Sequence, residues 1–362
     1  MKAPANNPKP LYQRLVDDIA TRIDVGKWPV GDKLPSERAL CEMYKVSQIT
    51  VRRALRELTQ AGYVYSHHGL GWFVGNRASS AMPHRDITLI APELDMLTTQ
   101  LVPPLIAALH PEFALRLSLL EGGPASGEEA LHQAVAAGAA AVLLAVTGEE
   151  RHLREHYSQL LANADVPVVL LWRAVPQVQT PAVILDEAGA IQLLTEHLLR
   201  LGHRRVAYVG DDPSLVEGQR RYWGFANTIW EHSQELPMEW VFAGQLTDRA
   251  DGARFHRIFR DSDRPTAIVC ASDYRAAEAI SLLCQMEVKC PDDVAVVGLG
   301  DTAFAPLLPA TLTSFRFDMP KMANALATML RGLMVGQTVE NVTISGKIIE
   351  RQSCGTGRAR AM

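Results

Sequence analysis

Leu34-Pro35-Ser36-Glu37-Arg38, followed by Val46-Ser47-Gln48-Ile49-Thr50-Val51-Arg52-Arg53-Ala54-Leu55, is the stretch whose reading decides the N-terminal fold. Ser36 after Pro35 is a good N-cap, so a helix is expected there, with Leu40 and Met43 turned inward. A second helix is expected from Ser47 to Gly62, a residue suited to the position just past a helix end. At about 100° per residue, Val51, Ala54, Leu55 and Leu58 fall on one stripe of that helix. Ile49, Arg52, Arg53 and Arg56 fall opposite, with Gln48 at the edge. The first stripe packs. The second puts cations at a helix start after a short turn, which is how a helix-turn-helix reader meets DNA. Arg neutralises phosphate, Gln pairs with adenine edges and Ile touches a thymine methyl. A merely solvated cationic face is the plainer alternative.

The flanks support the DNA reading. Upstream, Leu11, Leu15, Ile19 and Ile23 recur at helical spacing and end before Gly26. Downstream, Tyr63-Val64-Tyr65-Ser66 and Trp72-Phe73-Val74-Gly75 bracket His67-His68-Gly69-Leu70-Gly71, a hairpin pattern whose tip suits a narrow groove. Gly69 and Gly71 lack the strand–glycines–helix context of a phosphate loop.

Residues 9–76 resemble the winged helix-turn-helix of GntR-family regulators. The resemblance rests on Gly31-Asp32-Lys33-Leu34-Pro35-Ser36-Glu37-Arg38, Val46-Ser47, Thr50-Val51-Arg52, Ala54-Leu55, Leu58, Ala61-Gly62 and Gly69-Leu70-Gly71-Trp72-Phe73-Val74. It implies that Arg38 and Arg52 hold phosphates or base edges, that Thr50 holds the backbone, and that His68 and Gly69 enter the minor groove. Ser47, Gln48, Ile49 and Arg53 complete the expected DNA-binding set. Gln48 and Ile49 stand where the family often has Arg and Thr, so no operator sequence carries over.

Charge divides the chain in the same place. Residues 1–77 carry 12 Lys/Arg against 7 Asp/Glu, or +5, which leaves −9 on the remainder of a chain of 362 residues and net charge −4. A basic module on an acidic body fits nucleic-acid contact at one end. The five cysteines show no paired close spacing, so neither a disulfide framework nor a zinc site is expected. The N-terminus has no apolar core and no apolar run reaches about 18 residues, so a cytoplasmic chain with no membrane contact is expected.

After a polar linker at 77–85, apolar strands alternate with helical stretches through 86–355. Strands are expected at Ile87–Ala91, Leu115–Leu119, Ala141–Leu144, Pro167–Trp172, Val206–Val209, Ala267–Cys270 and Val294–Val297. Helices are expected around Leu101–Leu109, Glu128–Ala137, Gly189–Leu201 and Arg275–Met286. Such alternation argues for doubly wound parallel sheets, and the length argues for two lobes.

Leu201-Gly202-His203-Arg204-Arg205-Val206-Ala207-Tyr208-Val209-Gly210, Arg221-Tyr222-Trp223-Gly224-Phe225, Ser272-Asp273, Pro291-Asp292-Asp293-Val294 and Gly300-Asp301 resemble the LacI-type effector domain, which shares the fold of periplasmic sugar-binding proteins. The combination resembles the arabinose-repressor branch of GntR regulators. The expected architecture is α/β: an N-terminal winged helix-turn-helix at 1–76 plus a two-lobed periplasmic-binding-protein-like body. Lobe one is expected at about 86–187 and 311–338, and lobe two at about 188–310 and 339–355.

The resemblance implies a repressor released from double-stranded operator DNA by a small metabolite such as a sugar, working as a homodimer. It places Arg221, Asp273, Ser272 and Asp186 in the effector cleft. Arg221 has a salt bridge at a helix end as its plainer alternative, and Asp186 a helix cap. Trp172 and Trp223 are candidates for stacking on a sugar, with core packing as the alternative. Gly300 and Trp172 occupy positions where the family often has Asp, which leaves three readings open: a less polyhydroxylated ligand, an acidic one, or acceptors from other residues such as Glu93, Asp95 or Glu217. A body that recruits a protein partner and has lost its ligand is the alternative that Gly300 keeps open. No catalytic motif and no cofactor are expected: Gly-x-Ser-x-Gly, His-Glu-x-x-His and Walker patterns are absent, and after residue 77 only Lys289, Lys321 and Lys347 remain for a pyridoxal lysine.

Overall fold

Four-residue spacing of Leu15, Ile19 and Ile23 builds the buried edge of α1 (Leu11–Asp24). A computed structural model describes residues 10–29, 31–60, 63–67, 71–74, 85–120, 125–146, 157–158, 161, 164, 166–211 and 215–355. The chain separates into two compact units, Met1–Arg85 and Asp86–Met362.

In the first unit, Ser36 caps α2 (Glu37–Tyr44) by accepting the Ala39 N–H at 3.2 Å, and Lys45 closes it in the left-handed region at φ 53°. In α3 (Gln48–Gln60) the stripe Val51, Ala54, Leu55 and Leu58 is fully buried. Strands β1 (Val64–His67) and β2 (Gly71–Val74) pair antiparallel, with Val64 opposite Val74 and His67 opposite Gly71. The segment before α2 joins the hairpin through Leu34 N–H to Trp72 O and Val74 N–H to Asp32 O, both 2.8 Å. One expectation fails here. Met43 is 49% exposed. The inward partner of Leu40 is Tyr44, four residues on, which packs on the core and donates its hydroxyl to Asp18 at 2.6 Å.

The second unit holds two six-stranded sheets. The first contains β3 (Arg85–Ala91), β4 (Phe113–Leu119), β5 (Ala141–Ala145), β6 (Val168–Trp172), β7 (Ala182–Leu185) and β13 (Val342–Ile344), in the order β13-β7-β6-β5-β3-β4. The second contains β8 (Val206–Val209), β9 (Val241–Phe242), β10 (Ala267–Cys270), β11 (Ala295–Leu299), β12 (Thr313–Phe317) and β14 (Gly346–Ile349), in the order β14-β12-β11-β10-β8-β9. Neighbours in the second are parallel except β12 with β14. Helices α4 (Met96–Leu109), α5 (Ala125–Ala136), α6 (Glu187–Arg200), α7 (Val216–Glu231), α8 (Arg249–Arg260), α9 (Asp273–Gln285) and α10 (Met319–Met334) connect them. Central strands such as β5 and β10 are buried at every position, as strands covered on both faces must be. This is the expected α/β class.

The chain passes between the sheets three times: at Asp186 between β7 and α6, at Asp318 between β12 and α10, and at Ser345 between β13 and β14. The crossings are tied together, Asp186 N–H to Ile344 O at 2.9 Å and Asp318 N–H to Ser345 O at 3.1 Å. The lobe limits expected at 311 and 339 are therefore corrected. Strand β12 belongs to the lobe-two sheet, pairing with β11, and β13 belongs to lobe one, pairing with β7. Short strands of three to five residues at a crossing carry too little periodicity to reveal which sheet they join.

Candidate functional site

In the first unit the face opposite the buried stripe is open. Ile49 is 81% exposed and the Arg38 side chain 91%. Ser47 and Thr50 are hydroxyl-bonded at 2.9 Å, which organises the start of α3. Glu37 on α2 reaches across to this face. Its Oε2 accepts from Arg52 Nε at 2.9 Å and from Gln48 Nε2 at 3.2 Å. The Arg52 guanidinium, with burial opposing it, holds the Glu37 carboxyl below its ordinary value. One carboxylate thus orients two residues expected to read DNA, and nothing in the spacing from 37 to 52 announced it. Arg53 packs differently, its guanidinium carbon 3.8 Å from the centre of the Tyr12 ring on α1. His68 and Gly69 lie outside the described residues.

In the second unit the carboxyl ends of the lobe-two strands gather a charged cluster. Arg221 on α7 donates Nε to Glu187 at 3.0 Å and Nη1 to Asp211 at 2.9 Å, and its Nη2 also reaches Glu187. Arg275 on α9 donates to the other oxygen of Asp211 at 3.2 Å and to Glu278 at 3.1 Å. The side chains of Arg221 and Glu187 are only 15% and 10% exposed. Beside them, Tyr208 is stacked on Phe225 and fully buried, with no hydrogen-bond partner for its hydroxyl among the described residues. Burial pushes its phenol pKa up, so it remains a donor. Glu187, Asp211, Arg275 and Tyr208 escaped the sequence reading. Asp211 follows β8 and was open to it, but Tyr208 sits inside an apolar strand and reads as core.

Three expected cleft residues are tied into the fold by hydrogen bonds. Asp273 is fully buried, and its two oxygens accept the Thr302 N–H at 2.6 Å, the Thr302 hydroxyl at 2.9 Å and the Ser314 hydroxyl at 2.6 Å. Burial pushes its pKa up despite those bonds. This corrects the expectation that it lines the cleft: its carboxylate turns under the sheet end. Ser272 caps α9 through the Arg275 N–H at 3.3 Å. Asp186 caps α6 through the Gly189 N–H at 2.9 Å, the plainer alternative weighed above. Asp95 likewise caps α4 through the Thr98 N–H at 2.7 Å, while Glu93 is exposed. The side chain of Glu217 lies outside the described residues. Trp223 is 47% exposed beside Trp230, and two residues from Arg221 it faces away from the cluster.

Trp172 and Gly300 mark the two lobes' strand ends. Trp172 closes β6 at φ 72°, a conformation that is an outlier for a bulky side chain, and packs half-buried on the lobe core. Gly300 follows β11 at φ 124°, and a Cβ there would collide with the Met96 thioether of lobe one. Gln100, one turn along α4, donates its amide to Gly300 O at 2.9 Å and to Asp301 O at 3.3 Å. The space that a side chain at 300 would need is thus filled from the facing lobe.

Against known proteins, residues 11–74 match the model for bacterial regulatory proteins of the gntR family, and residues 195–354 match a periplasmic binding protein-like domain. The chain joins a GntR-type head to a periplasmic-binding-protein-like body. It is 26% identical over 352 residues to an arabinose metabolism transcriptional repressor of Geobacillus stearothermophilus, covering 94% of this chain and 95% of that one. It is 24% identical over 335 residues to a repressor of the same name from Halalkalibacterium halodurans, covering 88% of each. Among solved structures, the transcriptional regulator CelR–cellobiose complex superposes with a TM-score of 0.64 at 24% identity, covering 85% of this chain and 91% of that one. Both expected resemblances are therefore found, each on its own part of the chain. Among the described residues no helix is long and apolar enough to cross a membrane.

Proposed function

We propose that this chain is a transcriptional repressor that binds an operator through α3 and the hairpin, and lets go when a sugar or sugar derivative closes its two lobes. The observation that carries the effector half is the Arg221–Asp211–Arg275–Glu187 cluster, set at the carboxyl ends of strands where open α/β sheets bind ligands. Alternating guanidinium and carboxylate groups offer donors and acceptors to vicinal hydroxyls, and Tyr208 adds an unused donor. Met96 and Gly300 narrow the opposite side with a thioether and bare backbone, which favours a small ligand with an apolar edge. Three tied crossovers supply a hinge, and lobe closure by a hinge is a common response to ligand.

The relatives named as arabinose repressors support a pentose as the first ligand to try. The DNA half rests on Arg38, Gln48, Ile49 and Arg52, with Glu37 as their organiser. A homodimer belongs to this reading, because two heads on a two-fold operator double the base contacts of one. So does a cytoplasmic location, beside the DNA it controls.

The test is release from DNA. Full-length protein on its own promoter fragment is titrated with a panel of pentoses, hexoses and sugar acids, followed by fluorescence anisotropy. At least one is expected to release the DNA, and Arg221→Lys is expected to keep operator affinity while losing release. Lysine retains the charge but not the two-pronged fork. Release that survives in Arg221→Lys would remove this cluster from the effector site. A panel without any releasing sugar would overturn the reading.

A further inference from the structure

The crossovers border a second site that none of the candidate effector residues lines. A cavity of about 470 Å³ lies against Arg316 on β12, Asp318 and Ser345 at two of the crossings, Lys321 on α10 and Lys347 on β14. Its volume is in the range of small-ligand pockets, about 300–1,000 Å³. Its charge is out of character with its surroundings. Beyond residue 77 the chain carries −9 and only three lysines, yet two of those three open into this one cavity. Neither the Lys321 nor the Lys347 ammonium has a hydrogen bond or ion pair among the described residues. Arg316 is already paired with Asp301, which Arg351 also reaches at 2.7 Å. The carboxylate of Asp318 lines the cavity too, but its Oδ1 is engaged by the Lys321 backbone N–H at 2.9 Å. The lining therefore presents two ammonium groups without an ion-pair partner, one on each lobe, with the Asp318 carboxylate as the opposing charge in the same lining.

We propose that this cavity binds the phosphate of a small phosphomonoester, which bridges Lys321 of lobe one to Lys347 of lobe two. Two free ammonium groups match a dianion better than the single charge of a carboxylate, and lysine serves phosphate as a point charge. The volume leaves room for a short carbon chain behind the phosphate. A ligand seated there holds the two crossings at one angle, so it biases lobe closure from outside the cleft. This inference does not depend on which sugar the cleft takes.

Calorimetry on the full-length protein tests it, with glycerol 3-phosphate, ribose 5-phosphate, ribose, ribonate, inorganic phosphate and sulfate as probes. A phosphomonoester is expected to bind at submillimolar concentration and to raise Tm by mass action. The double variant Lys321→Gln/Lys347→Gln is expected to lose at least about tenfold in affinity, as befits two charge-assisted contacts. Its Tm without ligand should be unchanged, because neither lysine holds a partner. Arg221→Lys is expected to leave phosphomonoester affinity within about twofold, as separated sites act independently. Four results would each overturn the proposal. One is equal binding in the double variant; the second is loss in Arg221→Lys instead, which puts the phosphate in the cleft. The third is that ribonate or sulfate binds as well as the phosphomonoesters, and the fourth is that no phosphomonoester binds below tens of millimolar.

Discussion

Single carboxylates in this chain look alike in sequence and do opposite work. Glu37 holds Gln48 and Arg52 at the start of a helix, Asp211 bridges two arginines, Asp186 caps a helix and Asp273 ties a buried sheet end together. Only partners and burial separate them, which is why the charge partners of Arg221 were not legible in sequence. Asp273 gives the sharpest test of that distinction. Asp273→Ala strands the Thr302 N–H, the Thr302 hydroxyl and the Ser314 hydroxyl in a dry setting. A buried donor left without a partner costs about 1–3 kcal/mol, so a stability loss of about 3 kcal/mol or more is expected by denaturant titration. The folded fraction should bind effector within about twofold of wild type, as expected when a substitution touches no ligand. Unchanged stability with lost effector binding would return Asp273 to the cleft.

At the scale of elements, an amphipathic stripe and uninterrupted apolar runs announced themselves. The stripe on α3 and strands β8 and β10 lie where the apolar pattern puts them. Helices α7, α8 and α10 are amphipathic at helical spacing yet went unread, while β12, β13 and β14 lack the uninterrupted apolar run of β8 and β10, since Ser314, Arg316, Thr343 and Lys347 break them. The loop after β11 shows what sequence marks without explaining. Gly300 stood out as a lost carboxylate; the structure ties it to its φ of 124° and to Met96 from α4. The two positions should be coupled. Gly300→Asp alone is expected to destabilise through both the backbone and the collision. Met96→Ala should restore part of the loss by vacating the space, leaving the left-handed penalty of about 1–2 kcal/mol. A double-mutant cycle read by thermal melts should give a coupling of about 0.5–3 kcal/mol, the range for residues in contact. Strict additivity would mean that α4 and this loop do not touch in solution.

For the whole molecule, the separate head and body raise the question of how one informs the other. They are two compact units, and a message between them is a shift in a shared equilibrium. Linkage then imposes a symmetry that no structural detail can evade. If effector weakens operator affinity by some factor, operator must weaken effector affinity by the same factor. A factor between about 5 and 150 is typical of such coupling. Two titrations on full-length protein measure it: the releasing sugar with and without saturating operator duplex, and the duplex with and without saturating sugar. Equal factors are expected, and Arg221→Lys should bring both toward one together. If sugar binding proves indifferent to operator while sugar still silences the regulator in cells, lobe closure does not act on the heads. The body would then speak to a protein partner, the alternative that a bare Gly300 first raised.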